Sequence, residues 1–323
     1  MRQTSVAFFI FNRPELAARV LAQIALARPS RLLVIADGPR SDAERGKCTE
    51  ARRLIREIDW SCEVLTNFSD VNLGCKRRIA SGLNWVFEQC EDAIILEDDC
   101  LPHPTFFRYC AELLDRYQDD ERVMMVSGDN FQLGRRRTEY SYYFSRYSHV
   151  WGWASWRRAW RHYDGEIILW RTLRRTAWLR DILGHSESER YWREVFDRVC
   201  AGAIDTWDYQ WLFTVWAQNG LTILPSVNLV SNVGFGGDAT HTKGAESQVA
   251  NLPACEMIFP LQHPPHVLRD EKADQWTFDR MFAWERRRTR WLRYPSSLRA
   301  VLSVVAERVH SSIAGGLRRL FSS

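Results

Sequence analysis

The sequence predicts an α/β protein with a mostly parallel sheet flanked by helices. Over the first 130 residues, apolar runs alternate with segments whose apolar residues recur at helical spacing, which is typical of β-α-β units. The 323 residues are 46% hydrophobic and 26% charged, a composition that excludes a disordered chain and a membrane bundle. No apolar run approaches the length that a bilayer span requires.

Five strands are predicted in this first part, each from a short apolar run that ends at polar or turn-forming residues. They cover residues 6–11, 32–35, 63–65, 93–96 and 123–127. The helices between them follow from apolar residues three or four positions apart. One begins at Pro14, a residue that suits the first helical turn, and the others cover 51–58, 76–90 and the segment after Pro104.

The composition and the hydrophobic pattern of the sequence change after about residue 140. Ten of the fifteen tryptophans lie between Trp151 and Trp216, and short apolar pieces replace the regular alternation. We expect a helix over 207–216, a strand over 221–224 and a glycine-rich loop over 234–237. The chain is therefore predicted to form one domain in two halves, 1–130 and 131–282, followed by a basic amphipathic tail, 283–323.

The net charge of +4 is unevenly placed, because the tail carries nine arginines against two glutamates. The body is therefore slightly acidic, which argues against nucleic-acid binding. The eight cysteines lack metal-binding spacing, and we expect buried, reduced thiols in a cytoplasmic protein. Arginine and tryptophan in the tail suit an anionic membrane surface at the inner face of the membrane, with a packed or frayed terminal helix as the alternative.

Three consecutive carboxylates, Glu97, Asp98 and Asp99, follow the strand predicted at 93–96. Ligands of open α/β sheets bind at the carboxyl ends of strands, and a hard divalent cation is held there by one or two carboxylates and phosphate oxygens. Repulsion within the triplet is costly without a cation. The triplet therefore indicates a metal-diphosphate site, with a solvated turn that caps the next helix as the alternative.

Polar residues also follow the first two strands, with Asn12 and Arg13 after the first and Asp37 after the second. We expect these residues to face the same crevice as the triplet. Arg13 would reach a phosphate, and Asp37 would accept a hydrogen bond from a base or ribose. A surface cation is the alternative for Arg13, and a turn residue is the alternative for Asp37.

Residues 92–130 contain an apolar strand, Glu-Asp-Asp, a helix and a strand that ends in Ser-Gly-Asp-Asn. This order resembles the metal-binding core of the GT-A glycosyltransferases, above all the inverting N-acetylglucosaminyltransferase I family and its bacterial surface-polysaccharide relatives. The resemblance extends more loosely over residues 6–244. It implies a GT-A-like nucleotide-diphospho-sugar transferase fold, in which Asp99 coordinates Mn²⁺ (or Mg²⁺) while Glu97 and Asp98 line the donor site.

The same resemblance implies a phosphate contact for Arg13 and a uracil contact for Asp37, and hence a UDP-sugar donor. It places a further nucleotide contact on the helix over 76–90, where Arg78 is the predicted residue and Lys76 or Arg77 is the alternative. Residues 238–241 resemble the element that closes over the diphosphate. Thr240 and His241 are therefore predicted phosphate contacts, with a flexible surface loop as the alternative.

The pair Trp207-Asp208 resembles the family's Trp-Asp pair, whose aspartate is the catalytic base. Inverting transfer needs a carboxylate that takes the proton of the acceptor hydroxyl as the new bond forms. Asp208 is the predicted base and Asp205 is the alternative, unless both serve only at a helix start. Trp151 and Trp153 are the predicted acceptor contacts, although most tryptophans here are expected in the core.

The sequence therefore predicts a metal-dependent inverting glycosyltransferase of the hexosyltransferase type. It would move a sugar from a nucleotide-diphosphate donor to a saccharide or lipid-linked saccharide acceptor in cell-surface glycan synthesis. A sugar-nucleotide pyrophosphorylase is one alternative, although the first strand lacks the glycine-rich phosphate loop that such an enzyme usually carries. A non-catalytic protein that binds carbohydrate or nucleotide sugar is the other.

Overall fold

The computed structural model describes residues 4–235 and 249–283. The chain divides into two compact units, residues 1–274 and 275–323, and residues 275–283 are the described part of the second. Within the described ranges, no helix is both long enough and apolar enough to cross a membrane.

The strands in the described ranges are β1 (Ser5–Ile10), β2 (Arg31–Ala36), β3 (Glu63–Phe68), β4 (Asp92–Glu97), β5 (Cys100–Pro102), β6 (Val123–Ser127), β7 (Tyr142–Ser145), β8 (Trp153–Trp156), β9 (Leu221–Pro225) and β10 (Val230–Asn232). The helices are α1 (Pro14–Ala27), α2 (Asp42–Arg53), α3 (Cys75–Gln89), α4 (Thr105–Arg116), α5 (Arg157–Trp160), α6 (Trp170–Leu173), α7 (Trp178–Leu183), α8 (Ser186–Cys200), α9 (Asp208–Ala217) and α10 (Glu271–Thr277). A 3-10 turn, Leu54–Glu57, follows α2, and a π-helical turn, Phe278–Phe282, follows α10.

All five strands predicted for residues 6–127 are present, and so are the helices between them, with one difference. α2 begins at Asp42, well before the start predicted at residue 51, and residues 54–57 form the 3-10 turn. Only Cys48 and Ala51 of α2 are buried, so the helix has almost no apolar spacing to reveal its first half. The helix and strand predicted after residue 206 are present as α9 and β9.

The main sheet has eight strands in the order β3-β2-β1-β4-β8-β6-β9-β7. β1 to β4, β6 and β9 run in one direction, and only β7 and β8 run against them. This confirms the predicted mostly parallel sheet. From β1 the chain extends on one side through β2 and β3, and it then returns to the other side for β4. The reversal makes the carboxyl ends of β1 and β4 a topological switch point, where ligands bind in open α/β sheets.

Helices cover both faces of the sheet, as β1 shows. Phe8 belongs to the large apolar cluster that includes α1 and α4. Its neighbour Phe9 faces α3 instead, where a β-carbon on Gly82 would lie 2.5 Å from the Phe9 ring. Alternate residues of a strand point to opposite faces, and all six residues of β1 are buried. The strand is therefore the centre of three layers, and Phe9 and Ile10 at its carboxyl end line a cleft.

The eight cysteines are all free thiols, but the prediction that they are all buried is wrong. Cys48, Cys90, Cys100 and Cys110 are buried, whereas Cys255 is exposed. Cys255 differs because it lies in the irregular segment that follows residue 249, outside any helix or strand.

Candidate active site

A cleft of about 680 Å³ lies beside the switch point. Two groups of residues provide most of its lining. The group that we call the strand wall follows β1 to β4 and comprises Phe11, Arg13, Asp37, Arg40, Asn72, Gly74, Cys75, Arg78, Glu97, Asp98 and Asp99. The group that we call the helix wall precedes β8 and begins α9, and it comprises Val150, Trp151, Ile204, Asp205, Thr206, Trp207, Asp208 and Tyr209.

The acidic triplet is held by the arginine that follows the adjacent parallel strand. Arg13 forms an ion pair with Asp98 through Nη2, and another with Asp99 Oδ2 through Nη1 at 2.9 Å. The backbone N–H of Phe11 donates a further hydrogen bond to Asp98 Oδ2 at 3.0 Å. The structure thus brings the strand-end residues of β1 and β4 together, as the sequence predicted, and it gives the triplet a fixed positive charge.

Burial and the repulsion of neighbouring carboxylates raise the pKa values of Glu97 and Asp98. Burial, together with the charges of Asp99 and Asp98, raises the pKa of Glu97 to about 8. Burial also raises the pKa of Asp98, against the opposing effect of Arg13. Burial lowers the pKa of Arg13, but the two aspartates outweigh that effect and the guanidinium stays charged. One arginine therefore does not neutralise three carboxylates, and the site favours an additional proton or cation.

Asp99 is more open to the cleft than Asp98, because its side chain is 16% exposed compared with 3% for Asp98. The antiparallel pair of β5 and β10 brings Gly234 against Asp99. The N–H of Val233 donates to the Asp99 carbonyl oxygen at 2.9 Å, and a β-carbon on Gly234 would lie only 2.2 Å from Asp99 Oδ2. A glycine is therefore required for Asp99 to keep this position.

The triplet could hold a divalent cation only with help from a ligand. The described residues contain no group of three or more His, Cys, Asp or Glu side chains arranged to bind a metal ion by themselves. Asp99 Oδ1 receives only a long contact from Cys100 Sγ, at 3.5 Å. One open carboxylate beside Glu97 suits a hard cation that takes its remaining oxygen ligands from a phosphate group and water. The residues present therefore fit Mn²⁺ or Mg²⁺ in that mode.

Asp37 lines the cleft, but its carboxylate is already fully hydrogen-bonded. Its oxygens accept the backbone N–H groups of Gly38, Leu73 and Gly74 at 2.9, 2.9 and 3.1 Å. They also accept the Asn72 side-chain amide at 3.0 Å. A carboxylate has about four acceptor positions, and four donors occupy them. Asp37 therefore organises the loop over 72–74, and the predicted direct contact with a base would need one of these bonds to break.

Arg78 is the basic residue of α3 that lines the cleft, whereas Lys76 is paired with Glu166 Oε1 at 3.1 Å. The Arg78 guanidinium donates to Asn67 Oδ1 at 2.8 Å, and the residue is only 6% exposed. Its Nε–H has no acceptor among the residues that the structure describes. Burial lowers the pKa of Arg78, although Asp37 opposes the effect. A buried cation with an unused donor beside a cleft is suited to an anionic ligand.

One predicted nucleotide contact does not line the cleft, and two others lie outside the described residues. Asn12 is not among the residues that line the cleft, because its Nδ2 donates to Glu44 Oε1 at 3.0 Å and so ties the side chain to α2. The nucleotide contact predicted for Asn12 would need this bond to break, and it stays a prediction. Thr240 and His241 lie outside the described residues, and their roles stay predictions.

The helix wall contributes the second pair of carboxylates. Asp208 is the first residue of α9, and its Oδ1 accepts a hydrogen bond from the Thr206 hydroxyl. Asp205 lines the same cleft and is more exposed. Cys75 lies within electrostatic range of both walls. Burial raises the pKa of its thiol, and the charges of Glu97 and Asp208 raise that pKa further. The cleft thus holds acids of the helix wall within electrostatic range of the triplet.

The two predicted acceptor tryptophans have different environments. Trp151 is partly exposed in the cleft, where its ring packs edge-on against Phe131 at 5.2 Å. Its backbone N–H donates to Asp129 Oδ2 at 3.0 Å. Trp153 is 1% exposed, and its ring stacks on Trp207 at 5.7 Å. The structure contradicts the acceptor role of Trp153, because its position on β8 places the ring in the core.

Sequence reasoning missed several residues that shape the cleft. Arg40 lines it and lies over the Phe11 ring at 5.3 Å, but nothing distinguishes this arginine from the many others in the sequence. The sequence identifies Gly234 only as part of a glycine-rich loop. Asp129 accepts the backbone N–H of the cleft residue Trp151, and the sequence does not reveal that Asp129 is fully buried.

No protein-family model matches this chain. No curated protein matches it either. Among solved structures, the chain is similar to a candidate nucleotide-diphospho-sugar transferase from Desulfovibrio desulfuricans G20, with 12% identity, a TM-score of 0.29, and coverage of 49% of this chain and 65% of that one. The chain thus spans just under two thirds of that protein's length.

Two further solved structures are similar to this chain at comparably low identity and TM-score. Mouse xyloside xylosyltransferase 1 gives 12% identity and a TM-score of 0.33 over 65% of this chain and 81% of that one. A UDP-glucose pyrophosphorylase complexed with UDP-glucose gives 12% identity and a TM-score of 0.26 over 44% and 62%. None of these three is N-acetylglucosaminyltransferase I. The residues of the cleft, and not these similarities, therefore carry the functional inference.

Proposed function

We propose that this protein is a metal-dependent, inverting glycosyltransferase that moves a sugar from a UDP-sugar to a hydroxyl group of a saccharide or lipid-linked saccharide in cell-surface glycan synthesis. One observation carries the proposal. A single cleft at the switch point contains an acidic triplet paired with Arg13, and it also contains separate carboxylates, Asp205 and Asp208, at the start of α9. The first group suits a cation and a diphosphate, and the second suits a hydroxyl that must lose its proton.

The strand wall would bind the donor. Arg13 and Arg78 supply positive charge for the diphosphate, and Asp99, with Glu97 beside it, would hold Mn²⁺ or Mg²⁺. The cation, when bound, would neutralise the charge that develops on the departing nucleotide diphosphate. A diphosphate that accepts hydrogen bonds from Arg13 would leave Asp99 Oδ2 free for the cation. Donor and cation are therefore expected to strengthen each other's binding.

The helix wall would activate the acceptor. Asp208 would take the proton of the acceptor hydroxyl while that oxygen attacks the anomeric carbon of the donor sugar. The bond between the anomeric carbon and the diphosphate oxygen breaks on the opposite face, so the configuration inverts. Thr206 orients the Asp208 carboxylate through its hydrogen bond, and Trp151 offers a partly exposed aromatic ring for the acceptor sugar.

The proposal is tested by incubating the purified protein with UDP-sugars and Mn²⁺ and measuring UDP release with and without saccharide acceptors. We expect Mn²⁺-dependent release by the wild type. Asp208→Asn should lower kcat by about 10²- to 10⁴-fold, since that is the usual contribution of a general base, while UDP affinity stays unchanged. Asp205→Asn is the matched control and should retain most activity.

Other outcomes would point elsewhere. Loss of activity in Asp205→Asn but not in Asp208→Asn would make Asp205 the base within the same reaction class. Pyrophosphate release from UTP and a sugar 1-phosphate, without transfer, would identify a pyrophosphorylase. Tight binding of UDP-sugars without turnover would identify a non-catalytic binding protein.

A further inference from the structure

A surface turn over residues 164–175, which we call the Ile-Leu turn, displays two apolar side chains next to each other. Ile168 is 63% exposed and Leu169 is 46% exposed, although the flanking Ile167 and Trp170 are buried. Among the large apolar side chains exposed in the described part of the chain, these two are the only consecutive pair. Apolar residues exposed singly are ordinary on protein surfaces, whereas contiguous apolar surface is characteristic of interaction sites.

The turn is fixed at both ends. The Asp164 carboxylate accepts the backbone N–H of Glu166 at 3.0 Å and that of Ile168 at 2.6 Å. At the other end, Trp170 Nε1 donates to Asp197 Oδ1 at 3.0 Å. The exposure of Ile168 and Leu169 is therefore a property of a hydrogen-bonded structure.

The backbone is strained at the residue before the pair. Ile167 has a φ of 42°, which lies in the left-handed region that β-branched residues avoid. Strain of this kind persists where the surrounding structure enforces it, and it concentrates at functional positions. Here it accompanies an abrupt change from the buried Ile167 to the exposed Ile168.

Three arginines follow the exposed pair in the sequence, whereas Glu166 on the other side of the pair is neutralised by Lys76. Arg171 and Arg175 are exposed and form no ion pair within the described residues, whereas Arg174 is paired with Asp197 at 2.6 Å. Apolar side chains followed by unpaired arginines complement a surface that has an apolar interior beneath a negatively charged layer. That combination describes an anionic lipid bilayer better than a neutral or basic protein surface.

The turn also adjoins the helix wall. Tyr163 stacks on Trp160 at 4.3 Å, and its hydroxyl donates to the backbone carbonyl of Trp207 at 3.3 Å. Glu166 is paired with Lys76, which follows the cleft residue Cys75. A bilayer in contact with the Ile-Leu turn would therefore lie close to the cleft residues that we assign to the acceptor.

We propose that the Ile-Leu turn is a membrane-docking element that inserts Ile168 and Leu169 into an anionic lipid surface, with Arg171 and Arg175 at the headgroups. The element belongs to the folded body and is separate from the basic tail over 283–323. It does not depend on the sugar chemistry of the cleft, but it would present a lipid-linked acceptor directly to the helix wall.

The test is sedimentation of the full chain with vesicles of phosphatidylglycerol and phosphatidylcholine, compared with vesicles of phosphatidylcholine alone. We expect the wild type to bind the anionic vesicles, and the double variant Ile168→Ser/Leu169→Ser to bind them roughly tenfold more weakly or worse. Arg171→Gln/Arg175→Gln should cause a smaller loss, and salt should weaken the wild type in the same way. The matched control is Ile258→Ser/Leu268→Ser, which removes side chains 81% and 70% exposed that are not adjacent in the sequence, and it should bind like the wild type.

Thermal unfolding and UDP titration of each variant show whether the body and the cleft are intact, so failure of this proposal is distinguishable from failure of the proposed transferase activity. Equal vesicle binding by the wild type and the Ile168→Ser/Leu169→Ser variant would overturn the proposal and assign any membrane contact to another segment. Absence of wild-type binding to anionic vesicles would overturn it as well. Concentration-dependent self-association that the variant abolishes, without vesicle binding, would assign the surface to a second copy of the chain.

Discussion

The strand wall and the helix wall hold their carboxylates in different ways. On the strand wall, Asp37 accepts four hydrogen bonds, and Asp98 is bound both by Arg13 and by the N–H of Phe11. On the helix wall, Asp205 is exposed and Asp208 is partly exposed at the start of α9. Charges on the strand wall are thus fixed by distant parts of the chain before any ligand binds.

This difference suits two kinds of ligand. A cation with a diphosphate needs charges whose positions do not change, and strand ends joined by hydrogen bonds across the sheet provide them. An acceptor hydroxyl needs an accessible carboxylate, which the first turn of a helix provides. The contrast predicts that substitutions on the strand wall damage the fold as well as binding, whereas substitutions on the helix wall spare the fold.

The largest expected effect on stability is at Asp37. Asp37→Ala leaves three backbone N–H groups and one amide without their acceptor, and each hydrogen bond to a charged group contributes about 1.5–3 kcal/mol. We expect the free energy of unfolding to fall by roughly 3–5 kcal/mol. Asp205→Ala, on the helix wall, should change it by less than about 0.5 kcal/mol. Chemical denaturation of both variants measures these changes. Equal losses of unfolding free energy in the two variants would contradict the proposed difference between the strand wall and the helix wall.

The buried acid behind the helix wall should give a pH dependence. Asp129 accepts the backbone N–H of Trp151 at 3.0 Å, and its Oδ1 has no partner within the described ranges. Burial raises the pKa of Asp129 far above the ordinary value. The folded state therefore keeps this proton at pH values where the unfolded chain has lost it. As pH rises above about 4, the free energy of unfolding should fall by up to about 1.4 kcal/mol for each pH unit.

Asp129→Asn is the variant that checks this pH dependence, because an amide can still accept the Trp151 N–H but does not ionise. Denaturation curves at pH 5 and pH 7 should show a decline in the wild type that is smaller in Asp129→Asn. The same decline in both proteins would mean that Asp129 titrates normally.

A smaller effect, on ligand affinity, is expected at Gly234, which follows β10 and lies against Asp99. In Gly234→Ala the new β-carbon would fall on Asp99 Oδ2, so Asp99 must move. We expect UDP affinity in the presence of Mn²⁺ to fall about tenfold, which is about 1.4 kcal/mol. Gly46→Ala is the control, since a β-carbon at Gly46 in α2 meets nothing within 4 Å and alanine favours a helix. Unchanged affinity in Gly234→Ala would show that the position of Asp99 does not limit binding.

Most of the sheet was predictable because strands such as β1, β4 and β6 are buried on both faces and therefore appear as short apolar runs. β3 is a partly exposed edge strand, and only three of its six residues were predicted. β6 occupies the predicted residues 123–127, and β4 extends the predicted run by one residue at each end. The first half of α2 was not predictable, because an exposed helix has no apolar spacing. The short strands β5 and β10, which bring Gly234 to Asp99, depend on pairing between distant residues that no local pattern encodes.

The site was predictable in its location and only partly in its contacts. Carboxyl ends of parallel strands share one edge, so Arg13 and the acidic triplet could be placed together from the order of elements alone. The acceptor contact predicted for Trp153 is wrong, because the sequence does not show which face of a strand is buried. The sequence also does not show which partner a polar side chain such as that of Asn12 finds. The Asn12 side chain donates a hydrogen bond to Glu44, and the Trp153 ring stacks on Trp207.

The most direct test of the central claim is calorimetric titration with UDP, in the presence and absence of Mn²⁺, for the wild type and for Asp99→Ala. The account predicts that UDP binds the wild type tightly only with Mn²⁺, and that Mn²⁺ alone binds weakly because Arg13 already contacts Asp99 Oδ2. It also predicts that Asp99→Ala abolishes the Mn²⁺-dependent binding. UDP binding that is equally strong without Mn²⁺, or that is unchanged in Asp99→Ala, would contradict the cation-dependent donor site.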